Sequence, residues 1–126
     1  MKFERRNTFE DKEIYENMRF KRTDSEIRNP DGTIVFSAKD IEIPEGWSQV
    51  AADVLAQKYF RKAGVPKILK RVYEEGVPEF LQRSVEDKEA LEKLDPNKRY
   101  SSETTARQVF DRLAGAWAYW GWKGNY

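Results

Sequence analysis

Hydrophobic and polar positions alternate with different periods along the chain, and the period changes mark its elements. Near the C-terminus, Ala106, Val109, Phe110, Leu113, Trp117 and Trp120 step by three and four. That spacing predicts one apolar stripe of an amphipathic helix, read as Ser102–Trp120. Ser102 is the predicted N-cap, Glu103 sits near the positive helix end, and Gly121 and Gly124 are the predicted stops. A second helix is predicted over Ser48–Ala63. Ser48 caps it and Trp47 is placed to staple onto Ala52. Gln49, Asp53, Gln57 and Arg61 recur every four residues as a narrow polar edge, and most of the remaining arc is apolar, so burial on more than one side is expected. Gly64 reads as its C′ residue, and Pro66 blocks continuation.

The period shortens toward two between Phe20 and Phe36. Asn29-Pro30-Asp31-Gly32 is a turn signal, because proline presets φ and glycine tolerates positive φ. Thr33-Ile34-Val35-Phe36 is β-branched and aromatic, so 20–36 is expected to be a hairpin, followed by a short alternating run at Ile41-Glu42-Ile43. Gly76-Val77-Pro78 then separates a short helical turn, Glu79–Val85, from Asp87–Leu94, and Asp95-Pro96-Asn97 ends that segment. Residues 1–19 are a charged leader with scattered apolar positions, including a short helix over Asp11–Met18. The expected fold is therefore mainly α with a small β-hairpin near the N-terminus. It divides into a leader at 1–19, a hairpin and short strand at 20–43, and a helical part at 44–126.

Composition narrows the chemistry. The chain has 126 residues, 36% of them charged, with a formal net charge of +1. One domain is expected, and no global attraction to nucleic acid. No apolar run approaches the roughly 20 residues of a membrane helix, and no apolar h-region follows Met1-Lys2-Phe3-Glu4-Arg5-Arg6, so neither a membrane nor a secretory role is expected. There is no cysteine and no histidine. That excludes thiolate nucleophiles, Ser-His-Asp triads and the common zinc sites within this chain. Glu74/Glu75 and Glu86/Asp87 are adjacent acids in a polar stretch, which does not place carboxyls across a cleft as acid–base work requires. The Asp31-Gly32 turn lacks the acidic spacing of a calcium loop. Lys58, Arg61, Lys62, Lys67, Lys70 and Arg71 form a local basic run, read as solvated flank rather than a phosphate site. No catalytic, cofactor-binding or metal-binding residue is assigned.

The aromatic residues are unevenly placed. Three of the four Trp and two of the six Tyr fall in the last ten residues. Chain ends are commonly polar and frayed, whereas burying one large aromatic side chain is worth roughly 1.5–3 kcal/mol. Trp117, Tyr119, Trp120, Trp122 and Tyr126 are therefore a candidate packing interface, with much of the partner surface expected outside these residues.

Two long strings carry a family resemblance: Glu42-Ile43-Pro44-Glu45-Gly46-Trp47-Ser48 continuing through Pro66, and Ala106-Arg107-Gln108-Val109-Phe110-Asp111-Arg112-Leu113 continuing through Gly124. With Glu75-Gly76-Val77-Pro78 between them, residues 40–126 resemble the N-terminal region of class II, adenosylcobalamin-dependent ribonucleotide reductases. The resemblance implies a helical segment preceding a ten-stranded α/β barrel absent from this chain. In the family that barrel carries the radical cysteine, the redox cysteine pair, the nucleotide substrate and the cobalamin. It further implies a cytoplasmic parent enzyme, homodimeric assembly among the possibilities, making deoxyribonucleotides for DNA synthesis. The rest of the reductase is then the partner, and no cofactor is expected on this chain. The competing expectations are a free-standing helical interaction module using its aromatic end, and a small carboxylate-based enzyme, for which no constellation is present.

Overall fold

A computed structural model describes residues 14–125. The leader residues before Ile14, and Tyr126, lie outside the described residues. The described residues divide into two compact units, one built from residues 14–60 with Thr104–Val109, the other from Arg61–Glu103 with residues 110–125.

In the first unit, a single 3₁₀ turn at Ile14–Asn17 precedes strands β1 (Phe20–Arg28) and β2 (Ile34–Pro44), paired antiparallel. The predicted turn joins them. Asn29 and Thr33 pair through the backbone at 2.8 Å, Gly32 takes φ +88°, and Asp31 Oδ1 accepts the Thr33 amide at 2.9 Å. Hydrogen bonds from the Thr33 side chain and then its backbone hold the Asp31 carboxyl below its usual value. The run at 41–43, expected as a separate element, is the far end of β2. Ile41 and Ile43 alternate into the core, while Glu42 between them is half-buried. A bulge makes this long strand possible. Lys39 and Asp40 stand opposite Asp24 alone, Asp40 adopts φ +55°, and its amide donates to Asp24 Oδ1 at 2.8 Å.

Helix α1 spans Gln49–Lys58, with the Ser48 hydroxyl accepting the Ala51 amide as predicted. It stops five residues short of Ala63, so Gly64 (φ +76°) turns the chain rather than capping the helix. Its orientation also differs from expectation. The polar edge faces the hairpin: fully buried Ser25 donates to Asp53 Oδ1 at 2.7 Å, and Gln49 Nε2 donates to the Asp24 carbonyl and to Asp53 Oδ1, both at 2.9 Å. Ala52, Leu55 and Ala56 are buried, while Val50 and Val54 are exposed. One apolar face is covered, not most of the circumference.

Helix α3 (Ala106–Lys123) starts four residues later than read from Ser102. Backbone pairing explains the delay. The Glu42 amide donates to the Thr104 carbonyl at 2.8 Å, which holds Thr104–Thr105 extended beside β2. A capping box then opens the helix. The Thr105 hydroxyl accepts the Arg107 amide at 3.2 Å, and Gln108 Oε1 accepts the Thr104 and Thr105 amides at 2.9 and 3.2 Å. Gln108→Ala is expected to cost about 1 kcal/mol, read as a lower urea midpoint with an unchanged slope. Arg107 stacks over Phe20 at 4.2 Å and Tyr15 at 5.6 Å from the ring centroids. Its Nε is 2.9 Å from Glu42 Oε1, but the N–H is not aligned on that oxygen, so the contact is Coulombic rather than a hydrogen bond.

The second unit contains two further small antiparallel pairs. β3 (Val65–Pro66) pairs with β6 (Tyr100–Ser101), and β4 (Leu69–Arg71) pairs with β5 (Ser84–Glu86). Between β4 and β5 the predicted helical turn is a 3₁₀ turn confined to Glu79–Leu81. Helix α2 (Lys88–Glu92) follows, capped by Asp87, whose Oδ1 accepts the Ala90 amide at 3.1 Å. Val77, Leu81 and Leu91 are buried. These pairs overturn the mainly α expectation. The hairpin at 20–44 exists, but it is one of three two-stranded sheets among the described residues, which are 38% helical and 28% strand. The missed strands are two or three residues long, and β4 is exposed at every position, so neither alternation nor β-branching announces them.

Candidate functional site

The aromatic residues Trp117, Tyr119, Trp120 and Trp122 lie on the last two turns of α3, within the second unit. A helix of this length passes successive side chains every 100°, so residues three and four apart share a face. Arg112, Tyr119, Trp122 and Lys123 fall on one arc, and Leu113, Trp117 and Trp120 on the neighbouring one.

The first arc is anchored within the unit by polar contacts. Arg112 grips Glu103 with both ends of its fork: Nη2 donates to Oε1 at 2.9 Å and Nε to Oε2 at 3.2 Å, while Glu103 Oε1 also accepts the Arg61 amide at 2.8 Å. Two turns and three turns on, Tyr119 donates its hydroxyl to Glu74 Oε2 at 2.7 Å, and the Lys123 ammonium pairs with Glu74 Oε1. Trp122 donates its indole N–H to the Gly76 carbonyl at 3.0 Å. Gly76, at φ +79°, turns the chain where its carbonyl accepts that bond.

These contacts set the charge states of the clasp. The hydrogen bond from Lys123, then that from Tyr119, holds the Glu74 carboxyl below its usual value. The same bonds raise the Lys123 ammonium and the Tyr119 phenol above theirs. The lowered carboxyl contributes stability above its unfolded pKa, lost as pH falls through the folded value. The raised Lys123 and Tyr119 contribute below their unfolded pKa values, lost as pH rises through the folded ones. The clasp is therefore closed between the acid and strongly alkaline ranges. The Trp122 indole N–H resonance is expected to move toward its solvent-exposed position at both extremes. Glu74→Gln should abolish the acid limb; a resonance that titrates identically in that variant would contradict the assignment.

The second arc carries no such anchor at its C-terminal end. The stripe read from the sequence divides: Ala106 and Val109 are buried, Phe110 and Leu113 half-buried, and Trp117 and Trp120 are 63% and 64% exposed. Of the candidate interface residues, Trp117 and Trp120 thus face solvent. Tyr119 and Trp122 are half-buried on their partners, and Tyr126 lies outside the described residues. Glu74, which anchors Tyr119 and Lys123, is not singled out by the sequence. As one of two adjacent acids it gave no local signal of a partner 45 or more positions away.

No cluster of three or more carboxylates is placed to hold a metal ion among the described residues. An open cleft of about 190 Å³ is lined by Glu86, Lys88, Leu91, Glu92, Arg99 and Tyr100. That is below the 300–1,000 Å³ typical of even drug-sized ligands, and its charged rim does not fit a corrinoid. No helix among these residues is long and apolar enough to cross a membrane.

Comparison with known proteins bears on the whole length. The family model described as class II vitamin B12-dependent ribonucleotide reductase matches residues 21–126. A vitamin B12-dependent ribonucleotide reductase of Agrobacterium fabrum (strain C58) is 61% identical over 126 residues, covering 100% of this chain and 10% of the relative. One of Bradyrhizobium diazoefficiens (strain USDA 110) is 60% identical with the same coverage. The chain spans about a tenth of the length of the curated relatives it matches.

Proposed function

The chain belongs to the class II vitamin B12-dependent ribonucleotide reductase family, and from that membership we propose that it is the N-terminal, non-catalytic part of such an enzyme. The parent reaction is reduction of the ribose 2′-hydroxyl, turning ribonucleotides into deoxyribonucleotides in the cytoplasm for DNA synthesis. Adenosylcobalamin supplies the radical chemistry there, and the cysteines that the reaction needs must come from the remainder of the enzyme, because this chain has none. The contribution of this chain is scaffolding, with the remainder of the reductase as its partner and the α3 aromatics as the packing interface.

The observation that carries this reading is the outward placement of Trp117 and Trp120 on a helix whose other side is held by Arg112, Tyr119, Trp122 and Lys123. Two indoles side by side in water forgo the stabilisation that large aromatic groups gain when buried. The test is replacement. This chain, substituted for the 126 matching residues of the Agrobacterium fabrum relative, should retain adenosylcobalamin-dependent ribonucleotide reduction. The relative lacking those residues should lose it. A folded but inactive graft would contradict the proposal and favour a free-standing interaction module.

A further inference from the structure

Resting on that reading, we propose that a backbone segment of the reductase remainder runs directly over Gly121, in a shallow groove beside the Trp117 and Trp120 ridges. Three observations lead there. First, Gly121 is a helical residue within α3 and is not among the glycines with positive φ, so its conformation is one that alanine adopts freely. Glycine is nonetheless among the least favourable residues in a helix. Second, among the described residues no atom other than its chain neighbours and its own helix backbone lies within 4 Å of a Cβ built at Gly121, so packing among those residues does not explain the missing side chain. Third, Gly121 lies one turn after Trp117, and Ala114 and Ala118 precede it by seven and three positions. These three small residues therefore form a smooth strip next to an indole that is 63% exposed.

A ridge of two indoles beside a strip of two methyl groups and a glycine is shaped to receive another backbone closely, as small residues do wherever elements approach one another. The occupant is the reductase remainder rather than a second copy of this chain. Relatives 60–61% identical to the whole chain continue to about ten times its length, so in them this face belongs to a much larger molecule.

Gly115 supplies the control. It too lies in α3 without positive φ and with open space at its Cβ, but at two positions before Trp117 it is on the other side of the helix. Gly121→Ala and Gly115→Ala should each raise the melting temperature of the isolated chain by a few degrees, about 2–5 °C, through helix propensity. Placed in the Agrobacterium fabrum graft, Gly115→Ala should leave the melting transition of the graft unchanged or raised. Gly121→Ala should lower it, and in the separated pieces should weaken binding of this chain to the remainder at least fivefold by overpacking the interface. The opposite signs for one substitution in two contexts are the signature. If Gly121→Ala stabilises the graft as much as the isolated chain, the groove is overturned even though the graft is active. If the wild-type graft is itself inactive, the underlying scaffold reading has failed instead.

Discussion

Replacing Trp117 and Trp120 together by alanine is expected to abolish docking to the reductase remainder while leaving the isolated chain folded. Both indoles are mostly solvated in the chain alone, so their removal takes away little packing, and the melting temperature should shift by no more than about 2 °C. At an interface the same residues become desolvated anchors. Tryptophan is enriched among the few side chains that carry most of the binding energy, at about 2 kcal/mol or more each. The pair is therefore worth at least about 4 kcal/mol, close to a thousandfold in affinity, with some loss to non-additivity. Lys67→Ala, an exposed position within the basic run, should change affinity by less than about twofold. Titration of each variant against the Agrobacterium fabrum relative lacking its matching 126 residues separates them. Equal effects of the tryptophan and lysine changes would count against an aromatic interface.

The second large effect is on stability. Glu103 is 6% exposed, and its carboxylate takes the Arg112 fork and the Arg61 amide together. Glu103→Ala leaves a half-buried guanidinium and a backbone N–H without that acceptor. Breaking a buried pair from one side costs about 3–5 kcal/mol, a large part of a typical total of about 5–15 kcal/mol. Glu103→Gln should cost less, since its amide oxygen still accepts. The double change Glu103→Ala with Arg112→Ala should cost less than the two single changes summed, because neither charge is then stranded. Urea unfolding of the four proteins measures the coupling. A Glu103→Ala cost below about 1 kcal/mol would show that water replaces the carboxylate without penalty.

What could be read from the sequence follows from the range of the interactions involved. The Asn29–Gly32 turn and the Ser48 cap are made by residues within four positions of one another, and both stand where local chemistry puts them. The capping box at Thr105 and Gln108 is equally local. Ser102 was the more conspicuous candidate, but a backbone bond from Glu42, more than sixty residues earlier, keeps the chain extended past it. The short strands are also set at a distance. Leu69–Arg71 is basic and exposed, and only its partner at Ser84–Glu86 makes it a strand. For α3, periodicity identifies the stripe, but it cannot tell which turns of that stripe are covered. The answer depends on Glu74 and Gly76, which hold the neighbouring arc.

The most direct test of an interface at the end of α3 is hydroxyl-radical footprinting, read residue by residue in the isolated chain and in the graft on the Agrobacterium fabrum relative. Trp117 and Trp120 should be labelled readily in the chain and protected several-fold in the graft, while Tyr73, 79% exposed, reports the change expected of a residue outside the face and stays labelled in both. Equal labelling of the two indoles in an active graft would contradict the account.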